Sequence, residues 1–306
     1  MERRGFVLGS VASALMGCAN APNEAVPVIP GALVVGGCDL SLVFEGEPPN
    51  LPRSAYEGWV RTSAQMITDY YGGAFPVPGL EVTVVPSGRG GVGFGSHRQG
   101  RWIRVRCGRG TQQRSLDRDW VMVHEMLHAT FPDLTDQHRW MQEGLSTYAE
   151  KLVRIRAGNI TEQGMWSRLS GSMHHGRPRA GDRGLAKTHT WGRTYWGGAL
   201  FWMVADVDIR VQTKNRKSLD DVLHYVASIG GNARQMWEPQ RVCEAADKGT
   251  GTRAVSELYE RMAEAPGDVD LDRFWADLGI IRVDEDSVRF DDDAPLAYVR
   301  RGIATG

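Results

Sequence analysis

The sequence lacks any strong charge bias, because its 36 lysine and arginine residues nearly balance 37 aspartate and glutamate residues over 306 positions. This balance gives no reason to expect nucleic acid or an acidic membrane surface as a partner. After the first twenty residues the chain also lacks an apolar run of membrane-spanning length, so no spanning helix is expected in the mature protein. No internal repeat is present. The composition is that of a globular protein with one large domain or two subdomains.

The N-terminus has the layout of an export signal. Two arginines precede a short apolar run at 6–16, and the segment RRGFVL resembles the twin-arginine export motif. The run ends in LMGC, which resembles a bacterial lipobox and predicts a lipid on Cys18 that anchors the chain to a membrane, facing the periplasm. Ordinary cleavage at 19–21, giving a soluble periplasmic protein, is the alternative.

Cysteine is scarce. If Cys18 is lipidated, only Cys38, Cys107 and Cys243 remain. An oxidising compartment allows one disulfide among them, for which Cys38 with Cys107 is a candidate, but the sequence does not decide the pairing.

The patterns of apolar residues place strands early in the chain and helices late. Strands are predicted at 32–44, 80–87 and 101–108, the last as a half-exposed edge strand, and a strand-like segment closes the chain. Helices are predicted at 54–71, 117–131, 138–156, 194–211 and 218–228. This order predicts an α+β architecture in two lobes. The predicted segments are an export signal at 1–18, a tether at 19–31, a β-rich lobe at 32–135, a helical lobe at 136–240 and an extension at 241–306.

The stretch WVMVHEMLHATF, residues 120–131, contains two histidines spaced as His-Glu-x-x-His. On a helix, His124 and His128 lie one turn apart on the same face and can bind one ion. Zinc suits this ligand type, and it lowers the pKa of a water whose proton Glu125 can accept as the water attacks a carbonyl. Four apolar residues at helical spacing are predicted to pack inward: Trp120, Val123, Leu127 and Phe131. Two histidines of an ordinary helix are the alternative interpretation.

Two histidines do not complete a zinc site. The extended metzincin pattern is absent, because Phe131 and Leu134 occupy the positions where it requires glycine and histidine. Glu143, on the next predicted helix, follows His128 with fourteen residues between them, which leaves room for a turn. We expect Glu143 to be the third ligand, with the alternatives Asp136, His138 and Glu150.

The two segments HEMLH (124–128) and WMQEGLSTYAE (140–150) together resemble the gluzincin aminopeptidases of the aminopeptidase N and glycyl aminopeptidase types. The resemblance implies a thermolysin-like catalytic domain with a mixed-sheet lobe ending in the motif helix and a mainly helical second lobe. It also implies that Glu143 binds Zn²⁺. The gap between His128 and Glu143 is shorter than is usual in these families, so either the connecting loop is trimmed or Glu143 is not the ligand.

A tyrosine segment is also similar to these families. In RTYWGGALFWMVADVDIR, Tyr195 matches the tyrosine that stabilises the tetrahedral oxyanion, a role that suits a phenol donor. A tyrosine packed at a helix start is the alternative. His189 is a candidate second donor, although a histidine in a loop is more often structural.

One segment departs from the family pattern. Aminopeptidases of this type carry a glutamate near an edge strand that holds the substrate amine, whereas the corresponding stretch GRGGVGFGSH has no acidic residue. Its glycines allow a substrate backbone to approach closely, or they form a turn. Cleavage at a chain end and internal cleavage therefore both remain open.

These residues predict a zinc metallopeptidase acting on a peptide or protein substrate. The alternatives are a non-catalytic, zinc-stabilised envelope protein and a zinc hydrolase of a non-peptide substrate. The intact Glu125 argues against the non-catalytic protein, because a purely structural zinc site does not need it.

The adjacent His174 and His175 are not expected to form a second metal site, and the acidic run at 291–293 is predicted to be a solvated turn rather than a calcium site.

Overall fold

The computed structural model describes residues 33–88 and 90–306. The predicted export signal, the Cys18 lipid site and the tether therefore lie outside the described residues. In the part of the chain that is described, no helix combines the length and hydropathy needed to cross a bilayer.

The strands of a five-stranded mixed sheet lie between residues 33 and 108. Its strands are β1 (Leu33–Val35), β2 (Cys38–Phe44), β3 (Gly79–Ser87), β4 (Val92–Arg98) and β5 (Trp102–Gly108). Their order across the sheet is β1-β2-β3-β5-β4, with β2, β3 and β5 parallel and the outer pairs antiparallel. The glycine-rich β4 is therefore an edge strand, whereas 101–108, predicted to be at the edge, lies inside the sheet.

Helices dominate the rest of the chain, as the patterns predicted. They are α1 (Arg53–Tyr70), α2 (Gln113–Asp117), α3 (Val121–Thr130), α4 (Arg139–Arg156), α5 (Glu162–Ser172), α6 (Gly198–Thr213), α7 (Leu219–Ser228), α8 (Pro239–Thr250), α9 (Ala254–Met262), α10 (Leu271–Asp277) and α11 (Ala297–Thr305). A two-stranded hairpin, β6 (Ile280–Arg282) and β7 (Val288–Phe290), lies between α10 and α11. The mixture of a mixed sheet with many helices confirms the coarse α+β prediction.

Several local predictions were wrong for identifiable reasons. The segment 32–44 is two strands, because Gly36 and Gly37 adopt positive φ and turn the chain. The segment 117–131 begins its motif helix only at Val121, because the Asp119 carboxylate accepts the first backbone N–H groups of α3. The final segment LAYVRR is helical, and α5 and α8 were not predicted.

The candidate disulfide is absent. Cys38, Cys107 and Cys243 are free and buried, and burial raises the pKa of each thiol to about 12. At neutral pH each is a protonated, inert thiol that packs as a small apolar side chain.

Helix α4 is fixed in place by close contact with α6. A Cβ added at Gly144 would lie 2.1 Å from the backbone carbon of Gly198, so the two helices cross with their backbones in contact. Farther along, the Tyr148 hydroxyl donates to Asp206, which is fully buried and also pairs with Arg210. Because buried polar groups tolerate little displacement, this network sets the position of α4 relative to α6.

We predict that Gly144→Ala destabilises the protein by roughly 1–3 kcal/mol, since the added methyl overpacks a backbone contact. The matched control is Gly58→Ala on α1, where a Cβ meets nothing within 4 Å. The control should stabilise by about 0.5–1 kcal/mol, the usual difference between glycine and alanine in a helix. Denaturant unfolding measures both, and equal stability of the two variants would contradict the crossing.

Candidate metal centre

Two helices bring three predicted residues together. His124 and His128 lie one turn apart on α3, and their Nε2 atoms are 3.2 Å apart. Glu143, on the second turn of α4, places Oε2 3.3 Å from His124 Nε2 and 3.1 Å from His128 Nε2. All three side chains are buried. The predicted triad therefore converges on one point.

The spacing of these atoms fits a zinc ion. Zinc–nitrogen and zinc–oxygen bonds of about 2.0–2.2 Å in a tetrahedron place neighbouring ligand atoms roughly 3.3–3.6 Å apart. The three observed separations, 3.1–3.3 Å, lie at and slightly below the short end of this range. The imidazole planes of His124 and His128 are 78° apart, so their in-plane lone pairs can converge rather than run parallel.

The protonation states of His128 and Glu143 also suit a cation. Burial, reinforced by the neighbouring His97, lowers the pKa of His128 to about 4, so its imidazole is neutral at neutral pH. Burial alone would raise the pKa of Glu143, but the two imidazoles outweigh it and hold that pKa well below its usual range. Neutral imidazoles and an ionised carboxylate are the forms that bind metal.

Arg139 holds the other oxygen of Glu143. Its Nε and Nη2 donate to Glu143 Oε1 at 3.0 and 2.8 Å, while Oε2 faces the histidines. The arginine lies four residues before Glu143 on the same helix, a spacing that could have been read from the sequence but was not. It fixes which oxygen is free to act as a ligand.

Aromatic packing orients the two imidazole rings. Their Nδ1 atoms are buried without a hydrogen-bond partner in the described part of the chain. Instead the His124 ring lies between Trp120, which meets it edge-on at 5.6 Å, and Tyr195, at 6.5 Å. Trp120 was predicted to pack inward; it precedes α3 and is 44% exposed, whereas Val123, Leu127 and Phe131 are buried as predicted.

Glu125 lies on the side of α3 that faces strand β4. A Cβ added at Gly95 would fall 2.5 Å from the Glu125 side chain, so only glycine leaves room for this carboxylate. His97, which the sequence analysis missed, places Nδ1 3.5 Å from Glu125 Oε2. Burial would raise the pKa of Glu125, but the neighbouring histidines, His97 above all, lower it. Glu125 is therefore ionised at neutral pH, as a general base must be.

Tyr195 lies in a π-helical turn, Gly192–Gly197, that leads into α6. Such wide turns often occur at functional sites. Burial and the charge of Glu143 raise the pKa of Tyr195 to about 12. The phenol therefore keeps its proton at neutral pH and can donate a hydrogen bond.

Other candidates lie away from the triad. His138 pairs with Tyr259, Glu150 pairs with Lys151 and Arg154, and Asp136 is exposed at the rim of the cleft.

His189 lies within hydrogen-bonding distance of the carbonyl of Ala186, which favours a structural role. His174 and His175 belong to no group of three possible ligands among the described residues. In the acidic run, Asp292 lies in a turn and pairs with Arg300 and Arg301.

A cleft of about 360 Å³ opens beside Glu143. Its wall is mostly polar, with residues that include Arg98, Gln99, Asp133, Asp136 and Gln142. A larger cavity, about 570 Å³, lies on the outer face of the sheet and contains none of the three converging residues. The smaller cleft is the one from which a substrate can reach the triad.

The fold resembles that of an aminopeptidase N family protein from Idiomarina loihiensis, with a TM-score of 0.62 and 15% identity, covering 86% of this chain and 52% of that one. The likeness establishes the fold. An M1 zinc metallopeptidase from Deinococcus radiodurans is more distantly similar, with a TM-score of 0.48 and 16% identity, covering 75% of this chain and 49% of that one. This chain thus spans about half the length of each. No protein-family model matches the sequence, and a search of curated proteins finds no relative.

We predict that Arg139→Ala weakens zinc binding roughly 10- to 100-fold, because Glu143 loses the partner that orients it. The matched control is Arg273→Ala, another arginine paired with an acid four residues away, on α10. Competition with a chromogenic chelator measures the affinity. Equal zinc affinity of Arg139→Ala and the wild type would show that the arginine does not support the site.

Proposed function

We propose that the protein is a zinc-dependent metallohydrolase, and specifically a peptidase, whose zinc is held by His124, His128 and Glu143. The convergence of two imidazole nitrogens and one carboxylate oxygen at 3.1–3.3 Å carries this proposal. The presence of Glu125 beside them distinguishes a catalytic site from a structural one, because a structural zinc site needs no base.

The chain's own residues can carry the proton and charge changes of hydrolysis. When bound, zinc supplies Lewis acidity, which lowers the pKa of water and polarises a substrate carbonyl. Glu125, ionised and beside the triad, accepts the proton of the attacking water and later delivers it to the leaving amine. Tyr195, whose phenol stays protonated, donates a hydrogen bond to the oxyanion that develops on the carbonyl.

The site favours an extended substrate. Strand β4 is an edge strand, so a peptide backbone can pair with its free edge. No residue of β4 is acidic, so the strand offers no carboxylate for a substrate amine. We therefore propose peptide hydrolysis and do not assign cleavage to the ends of a peptide or to its interior.

The finer architecture and the location belong to the same proposal. We place the two lobes of a thermolysin-like domain at 32–135 and 136–240, with the C-terminal extension at 241–306. The export signal and the lipid on Cys18 would hold this domain at the bacterial cell envelope, facing the periplasm, where peptides and proteins are available as substrates.

The proposal predicts that Glu125→Gln retains zinc but lowers kcat for peptide hydrolysis by roughly 10²- to 10⁴-fold, because the base is lost while the ligands remain. A digest of a mixed peptide library by mass spectrometry, with zinc content measured in parallel, tests this. Wild-type activity retained in Glu125→Gln would overturn the mechanism. A zinc-loaded wild type that cleaves esters but no peptide would favour the non-peptide hydrolase, and one that cleaves neither would favour a binding protein.

A further inference from the structure

His97 occupies a position between two functional residues of the proposed site. Its Nδ1 lies 3.5 Å from Glu125 Oε2, and its ring stacks on that of His128 with centroids 3.9 Å apart and planes 16° apart. Its side chain is 19% exposed, and that of Glu125 is 8% exposed. A polar ring this close to the candidate base can control where the carboxylate points.

The strand geometry explains why His97 reaches Glu125. On β4, side chains at alternate positions face opposite sides of the sheet, and Gly95 and His97 share the side that faces α3. Gly95 leaves the space that the Glu125 side chain fills, and His97 borders that space two residues later. In the described part of the chain, no other basic side-chain nitrogen lies within 4.0 Å of the Glu125 carboxylate.

The geometry argues against His97 as a metal ligand. The nearest ligand atoms of His97, Glu125 and His128 lie within 4.8 Å of one another, so these residues form a second possible metal group. A ring nitrogen binds metal through a lone pair in the plane of its ring, however, and the two stacked rings have nearly parallel planes. Their lone pairs therefore cannot converge on one ion at about 2.0–2.1 Å, whereas those of His124 and His128 can.

We infer that His97 is a positioning residue, whose Nδ1–H donates to the Glu125 carboxylate while stacking on His128 holds the imidazole in place. This inference rests on the proposed function of Glu125 as general base. Stacking fixes the ring plane, and the ring plane fixes the direction of the donor. The carboxylate is thereby held toward the cleft, in the orientation that proton transfer requires.

Two substitutions separate the donor from the stacked ring. His97→Phe keeps a ring against His128 but removes the hydrogen-bond donor, and His97→Asn removes the ring but restores an N–H near the position of Nδ1. Ser96→Ala is the matched control, because Ser96 precedes His97 on β4 and faces the other side of the sheet, paired with the exposed Arg104.

For zinc-loaded enzyme, we expect His97→Phe to lower kcat roughly 10- to 100-fold with KM nearly unchanged, a loss typical of residues that orient a functional group. His97→Asn should recover most of that loss, and Ser96→Ala should match the wild type. All variants should bind one zinc. A wild-type kcat in His97→Phe would overturn the inference. Loss of zinc from that variant would also overturn it, because the loss would show that His97 is a metal ligand.

A second readout does not depend on turnover. Nitrogen NMR of the zinc-loaded protein should show His97 as the Nδ1-protonated tautomer, and Glu125→Ala but not Ser96→Ala should disturb it. An Nε2-protonated His97, or one indifferent to Glu125→Ala, would overturn the inference. The wild type could hydrolyse no peptide and still show a His97 tautomer that depends on Glu125. In that case the proposed peptidase function is wrong, but the inferred hydrogen bond stands.

Discussion

The structure depends on one buried carboxylate, that of Glu143, placed against two imidazoles. An ionised carboxylate in a protein interior is costly unless charge or strong hydrogen bonds compensate for it. Arg139 compensates one oxygen from the cleft side, and the Nε2 atoms of His124 and His128 face the other. On the proposed function, a divalent cation would complete this balance, because it would satisfy both lone-pair nitrogens and the second oxygen at once.

The surrounding architecture keeps α3 and α4 close enough for this arrangement. The backbone contact of Gly144 with Gly198 brings α6 against α4 one residue beyond Glu143, and the same helix α6 follows the turn that carries Tyr195. On the other side, Gly95 lets β4 approach Glu125. Glycine at these points is a steric requirement of the site, since any side chain would push apart elements that must touch.

Local patterns predicted the parts of the site that lie on one helix. The spacing of His124 and His128 was sufficient to place both on one face of α3, and the resemblance of the second helix to a known family singled out Glu143, which lies beside both. The tyrosine segment was located in the same way, although its π-helical geometry has no simple sequence pattern.

Contacts between distant segments could not be predicted in this way. His97 reaches Glu125 only because β4 lies at the sheet edge next to α3, and neither spacing nor composition encodes that strand order. Trp120 was wrongly predicted to pack inward because the helical periodicity was extended back to a residue that precedes the helix. The helix begins at Val121, whose backbone N–H donates to the Asp119 carboxylate. The final helix was mistaken for a strand because its short apolar segment fits both periods, and packing of α11 against the helical core decides between them.

The most direct test of the account is the position of the ion itself, measured by anomalous diffraction at the zinc edge from crystals of zinc-loaded protein. One peak is expected, about 2.0–2.2 Å from Nε2 of His124, Nε2 of His128 and Oε2 of Glu143. A peak beside His97 and Glu125, or none near α3, would contradict it.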